Sequence, residues 1–418
     1  MTRHESGIRD HVTVGPKILF TDTTRWSVGT RLAIALSKAG CDVSAVCPAD
    51  HHPFRHARVM RRIFPYSAVR PLESLESAIE KSEPDMIVPC DERGVRHLHE
   101  LFSRTRGASE PRARIAALIE RSLGSPDSYP IVSSRFDLLK IAAEEKIRVP
   151  HTQRVNGVAD LRSWPAEQEF PLVMKADCTY GGSGVAIVHN IEEAHAAFLR
   201  LTGLYRGTRV LKRLIVNRDP FCVRAWWQRD RPRIVAQDYI EGHPANCAVV
   251  CWDGRVLAGS GVEVVSSAGP TGPASVVRLV DSPEMMSAAE AIARRLNMSG
   301  FFGLDFVIER ETRTAYLIEM NPRCTILCHL QLGKGRDMVG TLWSQLAGQP
   351  LQERPAATEH GMIAYFPQAW TSNDEHLRSS FPDIPHDEPE LVHELLRPWP
   401  DRTFLYRLGA ALAAPRKQ

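Results

Sequence analysis

Two carboxylates and an amide lie near the ends of two apolar runs late in the chain. Asp305 lies within "GLDFVIER", whereas Glu319 and Asn321 close the run "TAYLIEMN", and the charged turn "ERETR" separates the two runs. A hairpin would place Asp305 beside Glu319, and strand alternation returns Asn321 to the same face. Two carboxylates with a carboxamide oxygen form a hard-oxygen set that suits Mg²⁺. The spacing therefore predicts a metal site.

Arg323 follows this set on the same side, in "NPR". A guanidinium at that point suits the stabilisation of charge that develops on a transferred phosphoryl group or an acyl phosphate. The alternative is a surface hairpin with acidic decoration. That alternative does not account for Asn-Pro-Arg at the end of a buried strand.

A second group of residues suits phosphate binding. Lys175 lies on an apolar strand in "VMKADCTYGGSGV", where an unpaired ammonium group would be costly. The following Gly181, Gly182, Ser183 and Gly184 offer backbone N–H groups that no large side chain blocks, so the pair of features suits a triphosphate. No Gly-Lys-Ser/Thr triplet opens a helix, so this is not a Walker A loop. A plain hairpin turn with a surface lysine is the alternative.

The sequence pattern of the N-terminal part predicts an α/β scaffold. A strand over 17–22, a helix over 28–40 and a strand from 41 form a βαβ unit, and a second unit follows over 72–102. Ligands of such sheets lie at the carboxyl ends of the strands. The residues expected there, which help to bind a second substrate, are Asp22, Thr23, Thr24, Asp91 and Glu92. The pattern GxGxxG is absent, so no dinucleotide site is predicted.

Three regions follow from these patterns: 1–130 as an α/β domain, 131–350 as the domain with both motifs, and 351–418 as a C-terminal extension. Within the second, about 150–240 holds the glycine-rich subdomain, and a hairpin is predicted at Asp253-Gly254. The extension is proline-rich and is predicted to be loop-like between short helices.

Composition narrows the class of protein. The 418 residues carry 52 basic and 49 acidic side chains, a net charge of +3 that gives no nucleic-acid footprint. The basic stretch 51–62 is interpreted as a solvated helix face. The absence of an apolar leader or an ~18-residue apolar run, with nine scattered cysteines, predicts a cytoplasmic protein without membrane contact. The pairs Cys247/Cys251 and Cys324/Cys328 are interpreted as small buried thiols.

Taken together, Lys175, the loop 181–184, "VAQDYIEG", Asp305 and "IEMNPR" resemble the ATP-grasp superfamily. The N-terminal units resemble its accompanying pre-ATP-grasp domain, and the resemblance covers about residues 17–345. It implies a Rossmann-like α/β domain followed by a two-lobed ATP-grasp fold with antiparallel sheets.

The resemblance also implies an ADP-forming ligase, which uses ATP to convert a carboxylate into an acyl phosphate and joins it to an amine or similar nucleophile. Its cofactors are ATP and Mg²⁺, with Mn²⁺ as an alternative metal, and its partners are small-molecule carboxylates and amines, with a homodimer left open. The implied roles are these: catalysis by Arg323 and Lys175; nucleotide binding by Arg135, Lys175, Gly181, Gly182, Ser183, Gly184, Gln237, Asp238, Tyr239 and Ile240; metal binding by Asp305, Glu319 and Asn321.

Two points depart from the family pattern. Arg135 stands where a lysine usually contacts the nucleotide, and no carboxylate follows "EG" to bind ribose, so Glu241 or Asp238 is the expected substitute. The loop 266–275 and the stretch 322–330 are expected to line the pocket for the acyl substrate. Arg278 is a candidate to bind a substrate carboxylate, with a role on the surface as the alternative. Two other functions stay open: activation of bicarbonate, as in carbamoyl-phosphate synthases or biotin carboxylases, and a non-catalytic nucleotide-binding regulator.

Overall fold

The computed structural model describes residues 15–49, 51–162, 170–177, 184–203, 232–267 and 272–397. Its strands are β1 Lys17–Thr21, β2 Asp42–Cys47, β3 Arg62–Pro65, β4 Met86–Pro89, β5 Thr152–Val155, β6 Leu172–Ala176, β7 Val185–Val188, β8 Ile234–Asp238, β9 Gly242–Trp252, β10 Arg255–Ser267, β11 Ala274–Val280, β12 Gly300–Glu309, β13 Ala315–Asn321, β14 Met362–Tyr365 and β15 Phe381–Asp383.

The α-helices of the same ranges are numbered in chain order. They are α1 Val28–Lys38, α2 Pro71–Ser82, α3 Glu92–Thr105, α4 Arg112–Leu123, α5 Tyr129–Val132, α6 Arg135–Glu144, α7 Val158–Arg162, α8 Ile191–Thr202, α9 Pro283–Arg295, α10 Met338–Ala347, α11 Gln368–Thr371 and α12 Pro389–Leu396. Short 3-10 turns cover Pro53–His56, Pro126–Ser128, Ile326–His329 and Glu375–Ser379. Within these residues, no helix combines the length and apolar character needed to cross a bilayer.

The first sheet is parallel, with strand order β3-β2-β1-β4. Ile18 and Phe20 pack on the side of α1, whereas Leu19 packs on the side of α2, α3 and α4. Apolar side chains alternate between two covered faces, which is why these strands are continuous apolar runs. The predicted N-terminal α/β scaffold is confirmed.

Two antiparallel sheets follow. The smaller has the order β5-β8-β6-β7 and packs α8 against one face, and the larger has the order β13-β12-β9-β10-β11-β14-β15. The predicted turn between β9 and β10 is present: Asp253 and Gly254 both have positive φ, 46° and 75°, as a tight hairpin turn requires. A parallel sheet followed by antiparallel sheets confirms the predicted fold class.

The C-terminal region extends the large sheet. β14 pairs antiparallel with β11, and β15 pairs parallel with β14. The prediction that this region is loop-like between short helices is therefore wrong for 362–365 and 381–383. The strands are four and three residues long, too short for an alternation pattern to identify them.

The structure also differs from the interpretation of the basic stretch 51–62 as a solvated helix face. It forms a 3-10 turn, a loop and the start of β3, and it faces the acidic helix α12. The backbone N–H of Arg58 donates to Glu388 Oε2 at 3.1 Å, and Arg25 Nη2 lies 2.5 Å from Glu394 Oε1. Charge complementarity thus joins the N-terminal sheet to the C-terminal region.

Candidate functional site

The β12–β13 hairpin brings the predicted metal-site residues together. Asp305 lies directly opposite Glu319, and Gly303 lies opposite Asn321. Asn321 Nδ2 donates to Asp305 Oδ2 at 3.0 Å. The register therefore places two carboxylates and a carboxamide within one small area of the sheet face.

A β-bulge beside this cluster connects the two antiparallel sheets. The register shifts after Asp305, because Phe306 pairs with Leu317 and leaves Ile318 as the extra residue. The carbonyl of Ile318 accepts from Lys175 Nζ and from Gln237 Nε2, each at 3.4 Å. Bulges commonly re-aim groups next to active sites, and this one aims a carbonyl at the small sheet.

Lys175 and Gln237 lie on neighbouring strands of the small sheet, β6 and β8. Both are buried, with 4% and 1% of their surface exposed. Burial lowers the pKa of Lys175 to about 8, although the nearby charge of Glu319 acts in the opposite direction. The lysine ammonium is therefore poorly neutralised, so an anion delivered beside it would be held strongly.

Arg135 connects α6 to the same cluster. Its Nη2 donates to Glu319 Oε1, and its Nη1 donates to the carbonyl of Ala176 at 3.2 Å and to Asp177 Oδ1 at 3.4 Å. Burial acts to raise the pKa of Glu319, but the charges of Arg135 and Lys175 outweigh it and hold that pKa below its usual range. Glu319 is therefore ionised at neutral pH.

Asp305 is in a different electrostatic environment. Burial, with the charge of Glu319 next to it, raises the pKa of Asp305 to about 6. Asp305 accepts a hydrogen bond from the neutral amide of Asn321 rather than from a cation. A cation bound beside the two carboxylates would therefore favour the charged form of Asp305.

Arg323 lies on the loop that folds back over β12 after β13 ends. Gly303 permits this path, because a Cβ there would lie 2.6 Å from Thr325 Cγ2. Arg323 Nη2 donates to Asn321 Oδ1 at 3.1 Å, and Nε donates to Glu92 Oε1 at 2.8 Å. Although burial acts against the charged form, Glu92 raises the pKa of Arg323.

Among the other predicted nucleotide residues, Asp238 ends β8, Tyr239 is exposed, and Ile240 follows it before β9. Gly184 borders the end of β6, where its carbonyl accepts from the backbone N–H of Ala176 at 2.9 Å. The rest of the glycine loop, Gly181, Gly182 and Ser183, lies outside the described residues.

Two residues considered for substrates lie elsewhere. Glu241, considered for ribose, is 65% exposed at its side chain and pairs with Arg310 at 2.6 Å. Arg278 lies on the opposite face of the large sheet from Asp305. Asp305 is aligned across the strands with Asn246 and Val262. Arg278 is aligned with Glu263, the residue after Val262, whose side chain points to the other face.

The predicted crevice at the strand ends of the first sheet is largely closed. Thr23 donates to both oxygens of Asp91, at 2.6 and 2.9 Å, and Asp91 also caps α3 through the N–H of Gly94. Asp22 is fully buried and accepts from the N–H of Thr24 at 3.0 Å. Of the five residues predicted there, Glu92 is the one that contacts Arg323.

A pocket with polar and apolar walls adjoins the cluster, between α3, the turn before α6 and the end of β13. Its lining includes Glu92, Arg96, Ser133, Arg135 and Glu319. Within the described ranges no group of three or more His, Cys, Asp or Glu side chains is placed to hold a metal. The predicted set differs from such a group because Asn321 supplies its third oxygen.

Sequence reasoning missed three contributors to this site: the salt bridge of Glu92, the carboxylate of Asp177 and the carbonyl of Ile318. Glu92 and Arg323 are 231 residues apart, so no local pattern connects them. The bulge at Ile318 depends on how two strands pair and leaves no signal in composition.

Comparison with known proteins finds a family model and a relative that this chain resembles. Residues 132–326 match the family model of the ATP-grasp domain. The chain is 23% identical over 308 residues to the carbamoyl phosphate synthase large chain of Thermotoga sp. strain RQ2, which covers 71% of this chain. The chain spans about a quarter of that relative, 25% of its length.

Solved structures show the same fold. N5-carboxyaminoimidazole synthetase from Staphylococcus aureus, complexed with ADP, has a TM-score of 0.57 and 14% identity, with 81% of this chain and 79% of that chain covered. The L-amino acid ligase from Bacillus licheniformis has a TM-score of 0.53 and 13% identity, with 81% and 75% covered. At these identities the likeness concerns the fold.

Proposed function

We propose that this chain, whose residues 132–326 form an ATP-grasp domain, is an ATP-dependent ligase that activates a carboxylate as an acyl phosphate. The acyl phosphate then reacts with an amine or similar nucleophile, and ADP and inorganic phosphate are released. The observation that carries the proposal is the convergence of Asp305, Glu319, Asn321, Lys175 and Arg135 on one cluster between the two antiparallel sheets.

ATP fits this cluster because the cluster combines the two kinds of group that a triphosphate with a cation requires. The buried ammonium of Lys175 and the guanidinium of Arg135, which contacts Glu319, provide positive charge. The opposed carboxylates of Asp305 and Glu319, with the oxygen of Asn321, provide hard oxygen donors. These three residues would hold Mg²⁺ or Mn²⁺, which neutralises phosphate charge when bound.

Gln237 and the residues after it, through Ile240, are proposed to contact the adenine ring. They lie on the strand of the small sheet next to Lys175, at the point where the chain crosses to the large sheet. Tyr239 and Ile240 follow directly after β8, so their backbone continues from the strand beside the phosphate-binding lysine. A ribose contact from Asp238 remains part of this proposal.

The reaction would proceed in two balanced steps. An oxygen of the substrate carboxylate forms a bond to the γ-phosphorus of ATP while the bond to the β,γ-bridging oxygen breaks, and ADP leaves. The neutral amine nitrogen then bonds to the acyl carbon, the bond to the phosphate oxygen breaks, and phosphate leaves with the electron pair and one proton of the amine. Arg323 is proposed to balance charge on the transferred group in both steps.

Activation of bicarbonate is a second candidate. One solved relative is an N5-carboxyaminoimidazole synthetase, and one curated relative is a carbamoyl phosphate synthase large chain. The same cluster would phosphorylate bicarbonate instead of an organic acid. An organic carboxylate and an amine remain the leading substrates of this proposal.

The test is a screen of phosphate release from ATP across pairs of amino acids, with bicarbonate plus each amine as a parallel series. The proposal expects ADP and phosphate, formed only when both an acid and a nucleophile are present. Stimulation by bicarbonate alone among the acids would favour the second candidate. AMP and pyrophosphate as products would refute the acyl-phosphate reaction.

A further inference from the structure

The salt bridge between Glu92 and Arg323 joins the N-terminal α/β unit to the proposed phosphoryl site. Glu92 is the first residue of α3, and its Oε1 accepts from Arg323 Nε at 2.8 Å. Asp91, rather than Glu92, caps the helix by accepting from the N–H of Gly94. The helix therefore has its cap without Glu92, and Glu92 is available for another purpose.

Arg323 is held by three different acceptors. Its Nε donates to Glu92, its Nη1 donates to the carbonyl of Cys324 at 3.2 Å, and its Nη2 donates to Asn321 Oδ1 at 3.1 Å. A guanidinium has five N–H groups, so in the described part of the chain two remain for phosphoryl oxygens. Of the three acceptors, Glu92 is the side chain that lies outside the predicted metal site, whereas Asn321 Oδ1 is also the oxygen assigned to the metal.

Four side chains thus form a continuous polar chain from the hairpin to α3. Asp305 accepts from Asn321, Asn321 accepts from Arg323, and Arg323 donates to Glu92. Of the two carboxylates among these four side chains, Glu92 is the one that lies outside the β12–β13 hairpin. The position of the N-terminal unit is therefore transmitted to Arg323 through Glu92.

The Glu92–Arg323 pair is mostly buried at the arginine and more accessible at the carboxylate. The side chains of Arg323 and Glu92 are 15% and 31% exposed, so the pair also contributes to folding, and that contribution has to be measured separately. A charged hydrogen bond that orients a guanidinium before the reaction contributes in addition to the transition state.

We propose that Glu92 is a positioning residue for phosphoryl transfer, which holds Arg323 so that its remaining N–H groups meet the transferred phosphoryl group. This inference rests on the proposed function, because it assumes that a phosphoryl group passes beside Arg323. It adds that the N-terminal unit, and not the ATP-grasp domain alone, determines the geometry of transfer.

The test requires no knowledge of the acid or the amine. Aluminium fluoride beside MgADP occupies the position of a transferred phosphoryl group, so its tightening of MgADP binding reports on the groups that meet that position. The wild-type chain is expected to bind MgADP at least about tenfold more tightly with aluminium fluoride than without it. Glu92→Gln is expected to lose most of this tightening while its affinity for MgADP alone stays within about twofold.

Glu100→Gln is the matched control. Glu100 lies on the same helix, pairs with Arg104 at 2.8 Å, and is 32% exposed at its side chain, so it matches the pairing distance and the carboxylate exposure of Glu92 away from the site. Equal tightening in Glu92→Gln and Glu100→Gln would overturn the proposal. So would a loss of unfolding stability in Glu92→Gln clearly beyond that of the control, because it would identify a structural role. Absence of tightening in the wild type, with MgADP still bound, would instead refute phosphoryl transfer at this site.

Discussion

Replacement of Asp383 should destabilise the protein strongly, because this carboxylate on β15 is the centre of a buried charge cluster. It accepts from Arg31 on α1 and from His329 Nε2, which lies 3.0 and 3.1 Å from its two oxygens. The side chains of Arg31, His329 and Asp383 are 10%, 7% and 5% exposed. Removal of one partner from such a pair leaves a buried charge without compensation, at a cost of about 3–5 kcal/mol.

The lower part of that range is expected for Asp383→Ala. The backbone carbonyl of residue 383 still accepts from Arg31 Nη1, at 2.8 Å in the wild type. The assay is urea denaturation followed by tryptophan fluorescence, with the change in free energy taken from the midpoint at a common slope. Hydrogen exchange of β14 provides a local measurement of the same junction.

Asp387→Ala is the matched control, because Lys38 and Asp387 also join α1 to the C-terminal region. That pair is 2.6 Å long, but its side chains are 58% and 75% exposed, so its removal should leave the midpoint unchanged. Combining Arg31→Met with Asp383→Leu should recover much of the loss, since both charges are then removed. Equal midpoints for Asp383→Ala and Asp387→Ala would refute the reasoning.

Three further outcomes are expected. Glu319→Gln should lower ATP turnover about 100-fold in a folded protein, measured by ADP formation, and unchanged turnover would exclude Glu319 from the metal site. Arg323→Ala should depress turnover by a similar factor while ATP affinity, measured by titration, changes little, because its partner charge develops during transfer. Burial lowers the pKa of His99 to about 3. Below pH ~6.5, protons therefore bind the unfolded chain in preference to the folded one. The free energy of unfolding should fall by about 1–2 kcal/mol between pH 7.5 and 5. His99→Phe, which keeps the ring packed on Tyr129, should remove that part of the pH dependence in denaturation curves, whereas an unchanged pH profile would contradict it.

The β12–β13 hairpin could be predicted because a short charged turn fixes its register. Once Asp305 lies opposite Glu319, strand alternation alone brings Asn321 to the same face. The first sheet could be predicted for a similar reason, since its strands are apolar runs separated by an amphipathic helix. In both cases the information lies within some thirty consecutive residues.

Features that depend on distant pairings could not be predicted. Arg135 meets Glu319 across 184 residues of sequence, and Arg25 meets Glu394 across 369. The chemistry of each residue was visible in the sequence, but its partner was determined by the packing of separate sheets. The same applies to β14, whose four residues become a strand because β11 offers an open edge beside them.

The continuity of the large sheet has a consequence for work with fragments. The segment that matches the ATP-grasp domain ends at residue 326, and a piece cut there or at 350 would lack β14 and β15. The N–H and C=O groups of β11 that pair with β14 would then face water along an apolar strand, and exposed edges of this kind recruit other chains. Such a fragment should aggregate on expression, whereas a piece that continues through residue 397 keeps the edge covered by its own chain.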